Sequence, residues 1–336
     1  MSVMSVRVER RAAFLEAAGW GPATLEALPG DASARHYFRL SDRGRRAMLM
    51  DAPPPEEVGR FVRIDGLLRG LDYSAPSILA ADLEAGLLVL EDLGDQTYTR
   101  AIATGGDESE LYGLAIDLLA DLHDRFDPDN APDIPPFSDD VMLEGVGRFL
   151  LWFLPAVTGR PVPDEVAAGY EAMWRRVLPL ARAVPSSLVL RDYHIDNLML
   201  LDGRPGLAAC GLLDFQDAMI GPIAYDLMSL LEDARRDVSE PVRRAMRVRY
   251  LARRSQVDPA AFDTASAVLG AQRHTRIIGG FCRLWLRDGK PGYLRHLPRL
   301  WRLLERSLAH PALGEVEEWM NEYVPAALRR IPVGPA

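Results

Sequence analysis

The run LVLRDYHIDNLMLLDGRPGLAACGLLDFQ, residues 188–216, limits what this chain can fold into more than any other stretch. Ser187 to Leu190 reads as a short apolar strand leading to Arg191 and Asp192. Asn197 comes five residues after Asp192, followed by the apolar run Leu198 to Leu201, a turn from Asp202 to Gly206, and a second apolar run through Leu213. Gly, Pro and Asp between short apolar runs is turn chemistry, so the two runs pair as a hairpin. Such a hairpin returns Asp214 beside Asn197.

Those residue types in that order suit one reaction class. Transfer of a terminal phosphoryl group needs little covalent help from a protein. It needs positioned magnesium, oxygen ligands to hold it, and a carboxylate that takes the proton of the attacking hydroxyl. Magnesium keeps several waters and phosphate oxygens, so one or two side chains suffice. Asp192 is the candidate base, Asn197 and Asp214 the candidate metal ligands, and ATP with Mg2+ the expected cofactors. Upstream, LPGDASARHYFRL at Leu28 to Leu40 reads as a small, polar turn followed by an alternating strand. Its turn is expected to fold over phosphates, with Asp31, Ser33 and Arg35 as nucleotide contacts.

On these motifs the chain resembles the aminoglycoside phosphotransferase and choline kinase branch of the protein-kinase-like fold. The family pattern of His-x-Asp, four residues, Asn, then a strand ending in Asp maps onto Leu190, Asp192, Asn197 and Asp214. Within that family, RDYHIDNLM, LLDFQDAMIGP and YDLMSLLEDARRDV resemble most closely the anomeric sugar kinases that phosphorylate N-acetylmuramate and N-acetylglucosamine in cell-wall recycling. The chain departs at Leu190, where the family has His, and at Asp196, where a basic residue is expected. The resemblance implies an α+β fold with a small antiparallel-sheet N-lobe over residues 1–90, a hinge over 91–96 and a mostly helical C-lobe over 97–336. It also implies that adenine pairs with the backbone at Glu91 and Leu93. Asp226 would reach back to the catalytic loop or cap its helix, and the region of Glu144 and Trp152 would help form the acceptor pocket. His194 is a further candidate for steering the acceptor. A kinase for an aminoglycoside or choline-type alcohol, and a nucleotide-binding scaffold without catalysis, are the competing readings.

The strand where this fold carries a phosphate-binding lysine is Ala47 to Asp51, and it has none. Lys290 is the only lysine among 39 Lys and Arg side chains, so 39 minus 1, or 38, are arginine. Arg35 or Arg39 would then bind phosphate, Arg35 being favoured because it lies on the loop.

Strands are expected at Ala75 to Ala80 and Leu87 to Leu90, and helices at Glu56 to Arg69, Glu108 to Asp124, Phe137 to Pro155, Pro163 to Val184, Pro241 to Ser255, Ala260 to Asp288, Tyr293 to Ala309 and Gly314 to Arg329. A formal net charge of −9 argues against general polyanion binding, so the expected partner is a small-molecule acceptor, with no nucleic acid. Met1 to Leu15 lacks the apolar core of a signal peptide, and the longest apolar run, Phe149 to Val157, falls short of the ~20 residues a membrane helix needs. A cytoplasmic monomer or weak dimer, away from membranes, is expected.

Overall fold

The computed structural model describes residues 3–29, 35–131 and 133–333. It contains the strands β1 (Thr24–Ala27), β2 (His36–Asp42), β3 (Arg45–Asp51), β4 (Ile78–Asp82), β5 (Leu87–Leu90), β6 (Ser186–Val189), β7 (Leu198–Leu200), β8 (Cys210–Leu212) and β9 (Met219–Pro222). By contact the chain divides into two compact units, residues 1–115 with 195–217, and residues 116–194 with 218–336.

The first unit is built on an antiparallel sheet of order β1-β2-β3-β5-β4. Side chains alternate across a strand, and Leu40, Ala47, Leu49, Leu87 and Val89 fall on one face, where they bury with Leu15 and Trp20. Each of the buried Leu and Val side chains contributes about 1.5–3 kcal/mol. The helix Val3–Ala17 was not apparent from the sequence, because Arg7, Arg10 and Arg11 interrupt its apolar face. Two of these side chains hold it in place: Arg7 Nε donates to the buried Asp51 Oδ1 at 2.8 Å, and Arg11 lies 3.5 Å from Oδ2. The helix Val58–Gly70 forms as its apolar spacing predicts and buries Phe61, which stacks on Phe215 at 4.9 Å between ring centroids. β4 runs later than the expected Ala75 to Ala80, since Pro76 has no N–H to give a ladder.

β7 and β8 pair as the predicted hairpin and belong to the same unit, with Leu198 opposite Leu212 and Leu200 opposite Cys210. Ser74 ties the hairpin to the rest of the unit, its hydroxyl donating to Ala208 O at 2.7 Å and its carbonyl accepting Leu212 N–H at 2.9 Å.

The second unit is mostly helical around Pro259–Leu286, a 28-residue helix capped by Asp258. The expected helix at Phe137 to Pro155 is broken into Asp139–Arg148, a π-helical turn Phe149–Phe153 and Leu154–Thr158. Pro155 lacks the N–H that would continue the α-helical ladder. The break also faces Gly279, where an added Cβ would lie 2.3 Å from the carbonyl carbon of Arg148. By length and composition Asp139–Thr158 is long and apolar enough to cross a membrane, although its longest uninterrupted apolar run is far shorter. Here Asp139–Arg148 and Phe149–Phe153 pack on Pro259–Leu286. β6 and β9 form a two-stranded ribbon in this unit.

Candidate active site

In the first unit the hairpin register does the positioning. Leu213 N–H donates to Asn197 O at 2.9 Å, so the residues just outside β7 and β8 face each other. Asp214 takes φ +58°, in the left-handed region where Asp is one of the few tolerated side chains. Its Oδ2 lies 3.5 Å from Asn197 Nδ2. Its Oδ1 accepts from Gln216 Nε2 at 2.8 Å and from Arg35 Nη1 at 3.3 Å. Arg35 is also held by Glu56, Nε to Oε2, at 3.0 Å. Burial opposes the Arg35 charge, but Tyr37, Glu56 and Asp214 outweigh it and keep the guanidinium above its ordinary range.

A carboxylate and a carboxamide on adjacent loop ends are side chains that could hold magnesium through their oxygens, and the Asn197 Nδ2 and Arg35 Nη1 donors against Asp214 mark a place that favours positive charge. Arg35, Asn197 and Asp214 are therefore brought together. Glu56 and Gln216 complete the cluster. Neither was singled out from sequence, although Gln216 stands two residues beyond Asp214. Asp31 and Ser33 lie outside the described residues. Arg39 binds elsewhere, to Asp92 at 2.8 Å and Asp95 at 2.9 Å. Met50, at the family's lysine position, is a core residue. The Asp196 carboxylate accepts from the Thr99 hydroxyl, which turns it toward the helix Tyr98–Ala103.

At the expected hinge, Glu91 O and Leu93 N–H bond no other described residue, leaving one acceptor and one donor along the edge. The Glu91 carboxylate is fully engaged, accepting from Ser77 N at 3.1 Å, Ser77 Oγ at 3.0 Å and Arg204 Nη2 at 2.5 Å. Arg204 comes from the turn between β7 and β8, so the hinge and the hairpin are cross-linked. Gly211 lets them approach, because an added Cβ would lie 3.0 Å from Met199 Cβ and 3.3 Å from Leu93 Cδ1.

In the second unit Asp192 follows β6, its N–H donating to Leu190 O at 2.9 Å. Arg191 adopts φ +70°, a conformation that costs an ordinary side chain about 1–2 kcal/mol and needs external support. Asp226 supplies it. The carboxylate is wholly buried and accepts from Leu190 N–H at 2.5 Å and Arg191 N–H at 2.9 Å. Burial pushes its pKa up to about 7, against the pull of those two N–H groups. The first turn of Ala224–Leu231 has no side-chain cap, so Asp226 serves the loop and not its own helix. Leu190, at the family's His position, is buried at the end of β6. Burial lowers the pKa of His194, and Arg235 and Arg273 act in the same direction against Asp233 and Asp192. Glu144 is largely exposed and lies 3.6 Å from Arg148, while Trp152 is half-buried in the π-helical turn.

A family model described as the phosphotransferase enzyme family matches residues 24–263. A Caulobacter vibrioides protein named N-acetylmuramate/N-acetylglucosamine kinase is 38% identical, covering 98% of this chain and 100% of its own length. A Pseudomonas aeruginosa protein of the same name is 38% identical over 90% of each chain. Among solved structures, a GDP complex of an aminoglycoside 2'-phosphotransferase mutant has a TM-score of 0.64 at 15% identity, covering 90% of this chain and 99% of its own. A microcompartment-associated aminopropanol kinase has a TM-score of 0.61 at 16% identity, covering 91% and 99%. These structures share the protein-kinase-like fold, with its antiparallel sheet and helical remainder. With a family model matched over residues 24–263 and a relative 38% identical along its whole length, the chain belongs to the phosphotransferase enzyme family, as a small-molecule kinase.

Proposed function

We propose that the chain transfers the γ-phosphoryl group of ATP to the anomeric hydroxyl of N-acetylmuramate or N-acetylglucosamine, in the cytoplasm, as a step of cell-wall sugar recycling. The observation that carries this reading is the near full-length identity of 38% to a kinase named for those two sugars, joined to an intact Asp192, Asn197 and Asp214. Asp192 takes the proton of the attacking hydroxyl. Asn197 and Asp214 would hold magnesium, which when bound neutralises charge on the β- and γ-phosphates. Arg35, steadied by Glu56, binds phosphate oxygens in place of the absent lysine, with Asp31 and Ser33 as further nucleotide contacts. Glu91 O and Leu93 N–H pair with adenine. Glu144, Trp152 and His194 face the acceptor, and Asp226 holds the base loop through Leu190 and Arg191. The lobes cut the chain by role: 1–90 for phosphates, 91–96 as hinge, 97–336 for base, metal and acceptor, in a monomer or weak dimer.

The test is acceptor-dependent ADP release by purified protein with N-acetylmuramate, N-acetylglucosamine, glucose, choline and an aminoglycoside. Release with the two amino sugars alone is expected, abolished in Asp192→Asn with nucleotide binding spared. Asp214→Ala should lose metal-dependent nucleotide binding. Turnover confined to the cationic alcohols would replace this reading with the aminoglycoside or choline type. Nucleotide binding without turnover on any acceptor would leave a scaffold.

A further inference from the structure

Although the chain carries nine more acidic than basic side chains, the second unit gathers four arginines at one place with few carboxylates to match them. Arg276 and Arg283 project from Pro259–Leu286 on either side of Gly279, the glycine against which the backbone of Arg148 packs. The crossing therefore brings Arg148 between them. The stem of Arg276 lies across Gly145, where an added Cβ would meet its Cδ at 3.0 Å, and its Nη2 donates to the buried Tyr225 hydroxyl at 3.3 Å. Tyr225 meets Phe137 edge-on at 5.0 Å, and the Arg191 guanidinium carbon sits 5.5 Å from the centroid of that same Phe137 ring. Arg191 immediately precedes Asp192, so the cluster begins where the base loop begins.

Charge balance at this place is poor. Glu144 lies 3.6 Å from Arg148, but its side chain is 79% exposed and gives little at that distance. Asp288, the carboxylate near Arg283, pairs primarily with Arg287 at 2.6 Å. Among the described residues Arg191 and Arg283 form no ion pair, and Arg191 Nε is buried with no hydrogen-bond acceptor. Burial, together with the charges of Arg276, Arg283 and Arg191, holds Arg148 below the ordinary arginine range. Folding thus gathers four half-buried like charges that repel one another. An anion from outside the chain would relieve that repulsion, and guanidinium offers it planar, paired donors.

The geometry points to Arg148, Arg191, Arg276 and Arg283 as an anion subsite that binds the carboxylate of an acidic sugar acceptor. This rests on the amino-sugar reading above and deepens it. The subsite lies in the unit that carries Asp192, whereas Arg35, Asn197 and Asp214, the groups for the nucleotide phosphates, lie in the other. N-acetylmuramate differs from N-acetylglucosamine by one lactyl ether ending in a carboxylate, so the cluster would favour the former and leave the latter without its ionic contact.

The experiment compares the two sugars in wild type and in Arg276→Met, Arg148→Met and Arg283→Met, by steady-state turnover and by calorimetric titration. The ratio of kcat/KM for N-acetylmuramate to that for N-acetylglucosamine should fall ten- to hundredfold in the variants, about 1.4–2.8 kcal/mol of discrimination. Added salt should raise the wild-type KM for the acid sugar and not for the neutral one. An unchanged ratio, with both sugars losing equally, would overturn the subsite and indicate a cluster that serves the transferred phosphate or packing. Arg283→Met covers the case in which the more tightly packed Arg276 variant fails to fold. Should wild type phosphorylate neither sugar, the functional reading fails. Calorimetric preference for the acid sugar would still support the subsite, and its absence would reject it.

Discussion

Replacing Asp226 by asparagine separates what holds the base loop from what reacts on it. The carboxylate, 0% exposed, accepts the N–H groups of Leu190 and Arg191 at 2.5 and 2.9 Å. Asparagine keeps one oxygen and turns an NH2 group toward the other donor. A buried donor left without an acceptor costs about 1–3 kcal/mol. Titration makes the difference depend on pH. Burial raises Asp226 to about 7, with Asp192 pushing the same way and the two backbone donors and Arg273 pulling down. An unfolded Asp titrates near about 3.9. The folded state thus keeps a proton that the unfolded state has lost, so this contribution to stability is fully present below about pH 4 and is lost as pH rises through about 7. The whole shift corresponds to about 4 kcal/mol, of which about 3 disappears between pH 5 and 8.

Asparagine cannot titrate. Urea unfolding of both proteins from pH 5 to 8 should therefore find the variant less stable at pH 5 and the gap closing by about 3 kcal/mol toward pH 8. Asp65 and Glu232, also raised by burial, to about 6 and about 7, are common to both proteins and drop out of the difference. Because Arg191 is strained and Asp192 follows it, kcat should fall by about a hundredfold for a displacement near 1 Å, with KM for nucleotide little changed. Parallel stability curves, or wild-type kcat in the variant, would refute the reasoning.

Two further outcomes follow from contacts already described. Arg35→Met should raise the KM for nucleotide at least tenfold, while Arg39→Met, which loses pairs to Asp92 and Asp95, should lower the melting temperature without that rise. Gly279→Ala places a methyl 2.3–2.5 Å from the Arg148 and Phe149 backbone and should cost about 1–3 kcal/mol, read as a drop in melting temperature. Gly280→Ala, with nothing within 4 Å, should be neutral or stabilising.

The hairpin, the loop ends it carries and most of the helices were legible in the residues alone. Apolar period, turn residues and caps are local, and local chemistry decides them. Asn197 and Asp214 meet because the turn from Asp202 to Gly206 permits one close return of the chain. Other features depend on partners remote in sequence. Arg35 and Arg39 were alike as neighbours of one strand, and only their partners, Glu56 with Asp214 against Asp92 with Asp95, told them apart. Asp226 could cap a helix or brace a loop until its carboxylate was seen on the amides of Leu190 and Arg191, 35 and 36 residues away. The arginines around Gly279 come from positions 148 to 283 and carry no motif, since charge convergence between distant helices is set by how the helices cross. The sequence by itself determined the chemistry and the chain order of the reacting groups. Tertiary structure alone decided which charges are matched, because a side chain's partner, unlike its secondary structure, is not a property of its neighbours in the chain.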